Sequence, residues 1–463
     1  MGRDFDVAVI GAGAAGLAAA VTAADSGASV IVLEAGEKIG GSSRLSGGHF
    51  FAAGTSVQRA AGVEDSAEAM FEHIMVLNQW MLEPAVVRRY CDASASTLEW
   101  IRGLGVEFKP EHVHVSGVGS VPRGHVPEGE GLAVVGALDR ERSRRGIDLA
   151  LAMRVSALLT DEEGRVIGLR AGEETLRAGA VVVATGGFGA NPRLIEEYYP
   201  DAAAAGDWCW YIGCPEARGD GIVLGREVGA AIDGQNRGLL LLTPGFSRDL
   251  EIFLPGWIML VDRAGRRFVD ETAPYSMMAG LVKRHGGVAF ALFDESARAA
   301  AAPNPLSRAY WVADVLADKA DEGRIVRAGS VAELARRAGI DASALAGTLE
   351  RYNADCERGC DGAFFKHPAS GMRPIATPPF YAVEVRPAII AWTGAGLRID
   401  SEARVIGRDE RPITGLFAAG ETVGSLHGDR YIGGGGSFGP SLVFGRIAGE
   451  NAATRALNEP VVL

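Results

Sequence analysis

Paired cysteines, blocks of basic residues and long uninterrupted apolar runs are all scarce in this chain. Its five cysteines, Cys91, Cys209, Cys214, Cys356 and Cys360, are dispersed and form no Cys-x-x-Cys unit, which argues against a zinc site and against a disulfide framework. No metal is expected, and the compartment reads as reducing and cytoplasmic. Lys and Arg number 46 against 58 Asp and Glu, a net charge of −12, with no basic stripe to track phosphates, so nucleic acid is not an expected partner. The longest apolar tract, Val7 to Ala24, is broken by Gly11, Gly13 and Gly16. It reads as strand plus helix, and no transmembrane segment of ~20 residues is expected. The first residues also lack the basic segment, apolar stretch and small-residue cleavage site of an export signal.

Glycine, by contrast, is abundant at 63 of 463 residues, about twice the ~7% average and without a collagen period. Many positions therefore need backbone close to something, and a bulky cofactor explains that need. At roughly 150 residues per domain the length predicts two or three folding units, and an apolar share of 48% supplies a large core. Asp6 to Ile10 is a buried-strand pattern. It is followed by Gly11-Ala12-Gly13-Ala14-Ala15-Gly16, an alanine-rich helical stretch, a second strand from Ala28 to Leu33, and Glu34. This is a βαβ unit: Gly11, Gly13, Ala15 and Gly16 shape the tight turn where a pyrophosphate meets a helix N-terminus, and Glu34, with Ala35, meets the ribose hydroxyls. Glu34 repels a 2′-phosphate, so FAD or NAD is preferred over NADP.

Gly41, Ser42, Ser43, Ser46, Gly47 and Gly48 come next, where amides and hydroxyls can hold the rest of an extended dinucleotide. Together with the distant Ala418-Ala419-Gly420-Glu421 they point to FAD. A second glycine turn, Ala184-Thr185-Gly186, closes the strand at 180–184 and meets the cofactor. Near residue 245 the character changes to a hairpin around Asp262-Arg263-Ala264-Gly265, then helical stretches and the Pro-rich 374–379 segment. The expected fold is α/β: a Rossmann-like FAD-binding domain in two parts, 1–244 and 380–463, split by an inserted α+β capping domain at 245–379.

The ordered set of Gly11-x-Gly13-x-x-Gly16 with Glu34, Gly40 to Gly48, Ala184 to Phe188, Gly219-Asp220-Gly221, Arg267-Phe268-Val269-Asp270-Glu271 and Gly415 to Glu421 resembles the FAD-dependent fumarate reductase and 3-oxosteroid dehydrogenase superfamily along essentially the whole length. The resemblance implies a glutathione-reductase-type fold, cofactor contacts from Asp220, Gly420, Glu421, Ser441 and Leu442, and a substrate held between cap and flavin. Fumarate reductases place arginines at two positions that are Tyr275 and Tyr431 here, with a histidine that survives as His427. A dicarboxylate wants fixed positive charge, ideally a bidentate guanidinium, which two phenols cannot supply.

Both tyrosines match the ketone-desaturating branch. By that resemblance, Tyr431 and the Gly435 amide bind the ketone oxygen, Tyr275 takes the α-proton, and a hydride passes to flavin N5. A phenol of pKa near 10 needs a cation, a helix terminus or a relay to act as a base. The branch's further first-domain tyrosine is missing between residues 105 and 126, which hold only His112, His114 and His125. Substrate contacts are expected from His427, Arg430 and Arg386, the arginines mattering if the substrate is a single-ring keto acid such as 4-oxocyclohexanecarboxylate and not a 3-oxosteroid. The electron acceptor, whether quinone, dye or oxygen, stays open, as does a covalent FAD link at His49. The alternative activity is reduction of an activated alkene, motivated by His427.

Overall fold

The computed structural model describes residues 2–304, 309–424 and 426–458. Along the chain the elements that position the site are β1 (Phe5–Ile10), α1 (Ala14–Asp25), β2 (Val30–Leu33), α2 (Ala67–Leu77), α3 (Pro84–Gly103), β3 (Asp148–Ala150), β4 (Glu174–Val183) and α4 (Asp220–Glu227). They continue with β5 (Gly238–Thr243), β6 (Met259–Val261), α5 (Tyr275–Arg284), β7 (Ala289–Asp294), β8 (Phe380–Thr393), β9 (Arg404–Ile406), β10 (Pro412–Ala418) and α6 (Phe438–Asn458).

Two compact units result. The first comprises Met1–Ala203, Tyr211–Leu239 and Ala391–Leu463, and the second Ala204–Trp210 with Leu240–Ile390. The expected insertion ran from 245 to 379. In the structure the chain leaves the first unit inside β5 and returns inside β8, and a continuous strand carries no compositional break at such a crossing.

In the first unit the sheet order is β9-β10-β4-β1-β2-β3, parallel throughout except for β9. Val7, Val9, Val32, Val181 and Val182 are wholly buried, as expected of a parallel sheet covered on both faces. Register aligns Ile10 with both Leu33 and Val183, and Val183 with Ala418. The carboxyl ends of four strands therefore finish level, and Gly11, Glu34, Ala184 and Ala419 emerge at one edge, where α/β sheets bind their ligands. Helices α1 and α6 lie side by side because the contact is made of small residues: a Cβ on Gly445 or Gly449 of α6 would run into the backbone of Ala15 or Ala19 of α1.

In the second unit β7 joins β6 and β8 antiparallel. Side chains alternate across the pleat: Leu260, Ala291 and Phe293 enter one apolar cluster with Met278 and Val282 of α5, while Met259, Val261, Phe290 and Leu292 enter another with Leu345 and Leu349.

Candidate active site

A cavity opens at the strand-end edge of the first unit. The glycines around it do two different jobs. Gly11 (φ +106°) and Gly16 are packing glycines, since a Cβ on the first would overlap the Ala184 carbonyl and one on the second the Gly11 carbonyl. At Gly13 a Cβ would come no nearer than 3.7 Å to its closest neighbour, Ser43 Oγ, and at Gly186 nothing lies within 4 Å. These two positions leave space for a ligand at the N-terminus of α1, whose N-cap Gly13 brings no side chain to satisfy the first-turn amides. Glu34 stands at the end of β2 and accepts the Ala12 and Gly36 N–H groups, each at 2.8 Å. With one amide on each oxygen, the carboxylate retains lone pairs for ribose hydroxyls.

Gly11, Gly13, Ala15, Glu34, Ala35, Gly41, Ser42, Ser43, Ser46, Ala184, Thr185, Gly186, Asp220, Gly420, Glu421 and Ser441 all line this cavity. Four expected cofactor residues do not. Gly16 packs beneath Gly11, Gly48 (φ +64°) backs onto the Glu130–Gly131 peptide, Gly47 abuts the His49 ring, and Leu442 is 1% exposed in the core. Asp220 begins α4 and pairs with Arg154, while burial raises its carboxyl pKa. Glu421 accepts the Thr393 N–H at 2.9 Å and hydroxyl at 2.8 Å; burial pushes its pKa up against those donors. Met153, Tyr211, Cys214 and Trp392 also line the cavity and escaped sequence reasoning. They sit in no glycine motif and arrive from strands and turns far apart in the chain. Tyr211 and Ser42 hydroxyls meet at 3.2 Å.

Close to the N-terminus of α6, Tyr431 is buried, donating its hydroxyl to Ser437 Oγ and accepting the Ser437 N–H, both at 3.2 Å. Burial raises the phenol pKa, which favours the neutral, donating form. Its ring neighbours are Trp392 at 6.2 Å and His427 at 5.8 Å. The His427 ring meets Trp392 edge-on at 4.5 Å, and burial drives its pKa down to about 3. Gly435 (φ +92°) has room for no side chain, because a Cβ would meet Phe50 and Phe51 backbone. His49 and His114 form a ring pair at 5.3 Å, and burial with the His114 charge lowers His49 to about 4. His125 is instead a core residue, bonded to Thr55 Oγ1 and to the Phe50 and Arg123 carbonyls.

The second unit holds Tyr275 as the first residue of α5, after Pro274. Pro274 presets the turn into the helix. The half-buried Tyr275 ring meets Phe253 edge-on at 5.8 Å in a pocket lined by Leu241, Leu242, Ile252, Leu254, Trp257 and Met278. Among the described residues lining it there is no arginine, lysine or histidine; its carboxylates are Glu251 and Glu271. Glu271 is saturated by Arg267 through both oxygens at 2.9 Å, by Lys366 at 2.8 Å and by the Leu260 N–H at 2.9 Å. Arg386 does not stand open for a substrate carboxylate, since it pairs with Glu384 and lies over the Trp208 ring at 4.4 Å. The backbone N–H of Arg430 donates to Asn78.

The FAD binding domain model matches residues 6–437. The chain belongs to the FAD binding domain family. As a member it is an FAD-dependent oxidoreductase of the fumarate reductase and ketosteroid dehydrogenase group, and FAD is the dinucleotide its cavity serves. It is 33% identical over 463 residues to a fumarate reductase (cytochrome) of Shewanella frigidimarina, covering 97% of this chain and 77% of that one. It is 31% identical to the NADH:fumarate oxidoreductase of Klebsiella pneumoniae over 98% of this chain, and spans only 48% of that protein. A 4-oxocyclohexanecarboxylate 2-dehydrogenase of Sinomonas cyclohexanicum is 27% identical over 98% of this chain and 93% of its own. Among solved structures, a 3-ketosteroid-Δ4-(5α)-dehydrogenase from Rhodococcus jostii RHA1 superposes with TM-score 0.80 at 28% identity, covering 97% of both chains. Among the described residues of this flavoprotein, no helix is long and apolar enough to cross a membrane.

Proposed function

We propose that this flavoprotein desaturates a saturated cyclic ketone to the α,β-unsaturated ketone. The observation that carries the reading is the absence of guanidinium where a dicarboxylate would need it: phenols occupy both positions, the described lining of the Tyr275 pocket is mostly apolar and free of cations, and Arg386 is held by Glu384.

Each chain residue then has a chemical task. Tyr431 exchanges its bond to Ser437 Oγ for the ketone oxygen, and the Ser437 N–H it accepts polarises its own O–H, making it a better donor. The Gly435 amide is the second donor to the developing enolate oxygen. Tyr275 removes the α-proton. Tyr275 is placed for this as the first residue of α5, facing an otherwise mostly apolar pocket. When bound, FAD supplies the hydride acceptor, and an external quinone, dye or oxygen then takes the two electrons. The apolar lining suits a multi-ring ketone such as a 3-oxosteroid, with 4-oxocyclohexanecarboxylate as the smaller alternative.

The opposite reaction, reduction of an activated alkene, is favoured by one feature, the retained His427, and by the fumarate reductases at similar identity. Anaerobic titration of the yellow protein with a 3-oxosteroid, with 4-oxocyclohexanecarboxylate and with succinate separates them. Bleaching by a ketone is expected; bleaching by succinate alone, or rapid recolouring of the reduced protein by fumarate, overturns the ketone reading.

A further inference from the structure

The segment that carries His427 and Tyr431 is flanked by Gly424, whose N–H donates to the Leu397 carbonyl, and by Gly436, whose N–H donates to the Gly433 carbonyl. Between them, the Arg430 N–H is taken by a side chain from far away in sequence, Asn78 Oδ1 at 3.0 Å. Asn78 is 4% exposed and caps α2, and its Nδ2 donates to the Ile74 carbonyl at 3.2 Å. Gly428 lies so close against the Asn78 amide that a Cβ there would collide with it. Both amide ends of Asn78 are therefore committed, one to its own helix and one to the segment flanked by His427 and Tyr431.

The backbone beyond Asn78 is also unusual. Gln79 (φ 54°) and Trp80 (φ 59°) are consecutive non-glycine residues in the left-handed region, which side chains with a Cβ rarely adopt. Such strain persists only where surrounding contacts over-determine it. Here the Trp80 N–H reaches back to the Met75 carbonyl and Met81 N–H to the Asn78 carbonyl, so the strained turn locks Asn78 at the end of α2. Trp80 and Met81 themselves are left largely exposed, at 60% and 67%, so burial of their own side chains does not explain the conformation.

We infer that Asn78 is a positioning residue for the active site, its side-chain oxygen fixing the path of residues 428–430 and thereby the placement of His427 and Tyr431. This rests on the ketone reading for what the two side chains do, but the clamp itself is testable without turnover.

The experiment compares FAD-loaded wild type, Asn78→Ala and Asn78→Asp by amide hydrogen exchange and by steady-state kinetics with the ketone that bleaches the wild type. In Asn78→Ala, exchange within residues 426–432 is expected to speed about tenfold, the loss of one hydrogen bond's net contribution. Exchange in α1 and FAD content should stay unchanged. Asn78→Asp keeps the acceptor for Arg430 and should restore most of the protection. In the ketone assay kcat should fall with KM little altered in Asn78→Ala and recover in Asn78→Asp. Unchanged exchange in 426–432, or equal loosening in both variants, overturns the clamp. Faster local exchange with unaltered ketone kinetics would leave the bond to Arg430 standing and overturn the positioning role; absence of any ketone that bleaches the wild type would count against the ketone reading instead.

Discussion

The cofactor cavity of the first unit and the tyrosine pocket of the second are built from opposite materials. The first is made of main chain: level strand ends, the bare N-terminus of α1, and glycines that either pack against a carbonyl or leave room. Among its charged side chains is Glu34, held by two amides. The second is made of side chains: an apolar lining around Tyr275, braced by a buried network in which Arg267 and Lys366 share Glu271, and Arg267 also reaches Asp361 at 2.8 Å. A main-chain cradle recognises a ligand common to many enzymes, because every peptide offers the same donors. A side-chain pocket is free to change with substrate. On the proposed reading, the cradle serves the cofactor and the apolar pocket contributes to substrate choice.

That contrast can be broken, and the largest effect is expected in the cradle. Gly16→Ala drives a methyl into the Gly11 carbonyl, adding at least the ~1–3 kcal/mol of an overpacked site in the one turn that must stay tight. Purified protein should be colourless or insoluble; a yellow, stable variant would mean that this turn does not govern FAD binding. Tyr275→Phe should act in the reverse sense, leaving the 450 nm absorbance intact while ketone turnover falls ~10²–10⁴-fold, the usual share of a general base. Turnover within a factor of two of wild type removes Tyr275 from the chemistry.

Smaller effects sharpen the comparison. Glu271→Gln leaves the wholly buried Lys366 and Arg267 with one anion fewer, which in a buried network costs about 3–5 kcal/mol. Thermal unfolding should show a lowered transition with FAD still bound; an unchanged melting temperature would show the network to be dispensable. The smallest effect concerns acid stability. His427 is held neutral with a folded pKa of about 3, below its ordinary ~6.5, so between these values the unfolded chain binds the extra proton. The stability this provides is complete above about pH 6.5 and is lost as pH falls toward 3, by about 2 kcal/mol at pH 5. His427→Gln should flatten the fall in melting temperature between pH 7 and pH 5; an unaltered slope would place the acid sensitivity elsewhere.

The two regions also differed in how far they could be read in advance. Gly11, Gly13 and Glu34 were identifiable because a βαβ turn imposes fixed spacing, and Ser42, Ser43, Thr185 and Glu421 because they sit in further glycine-rich segments; all of them line the cavity. Gly16, Gly47, Gly48 and Leu442 belong to the same motifs but do not line the cavity, since spacing shows that a position needs a small or apolar residue without showing what it is small for. Tyr211, Cys214 and Trp392 could not be found because nothing local to them is distinctive. Arg386 looked available as a cation, and only its neighbours Glu384 and Trp208 show that it is engaged.

By itself the sequence determined the βαβ unit and the preference for an unphosphorylated ribose, because each follows from residue type at fixed separation along one strand, turn or helix; that phenols stand at Tyr275 and Tyr431 where fumarate reductases have guanidiniums came only through the family resemblance. Tertiary structure alone decided which hydrogen bonds Tyr431 makes, that His427 stays neutral, that Tyr275 heads a helix in an apolar pocket, and that Asn78 reaches Arg430 across 352 residues. Those properties depend on desolvation and on contacts between distant segments, and neither quantity exists until the chain has folded.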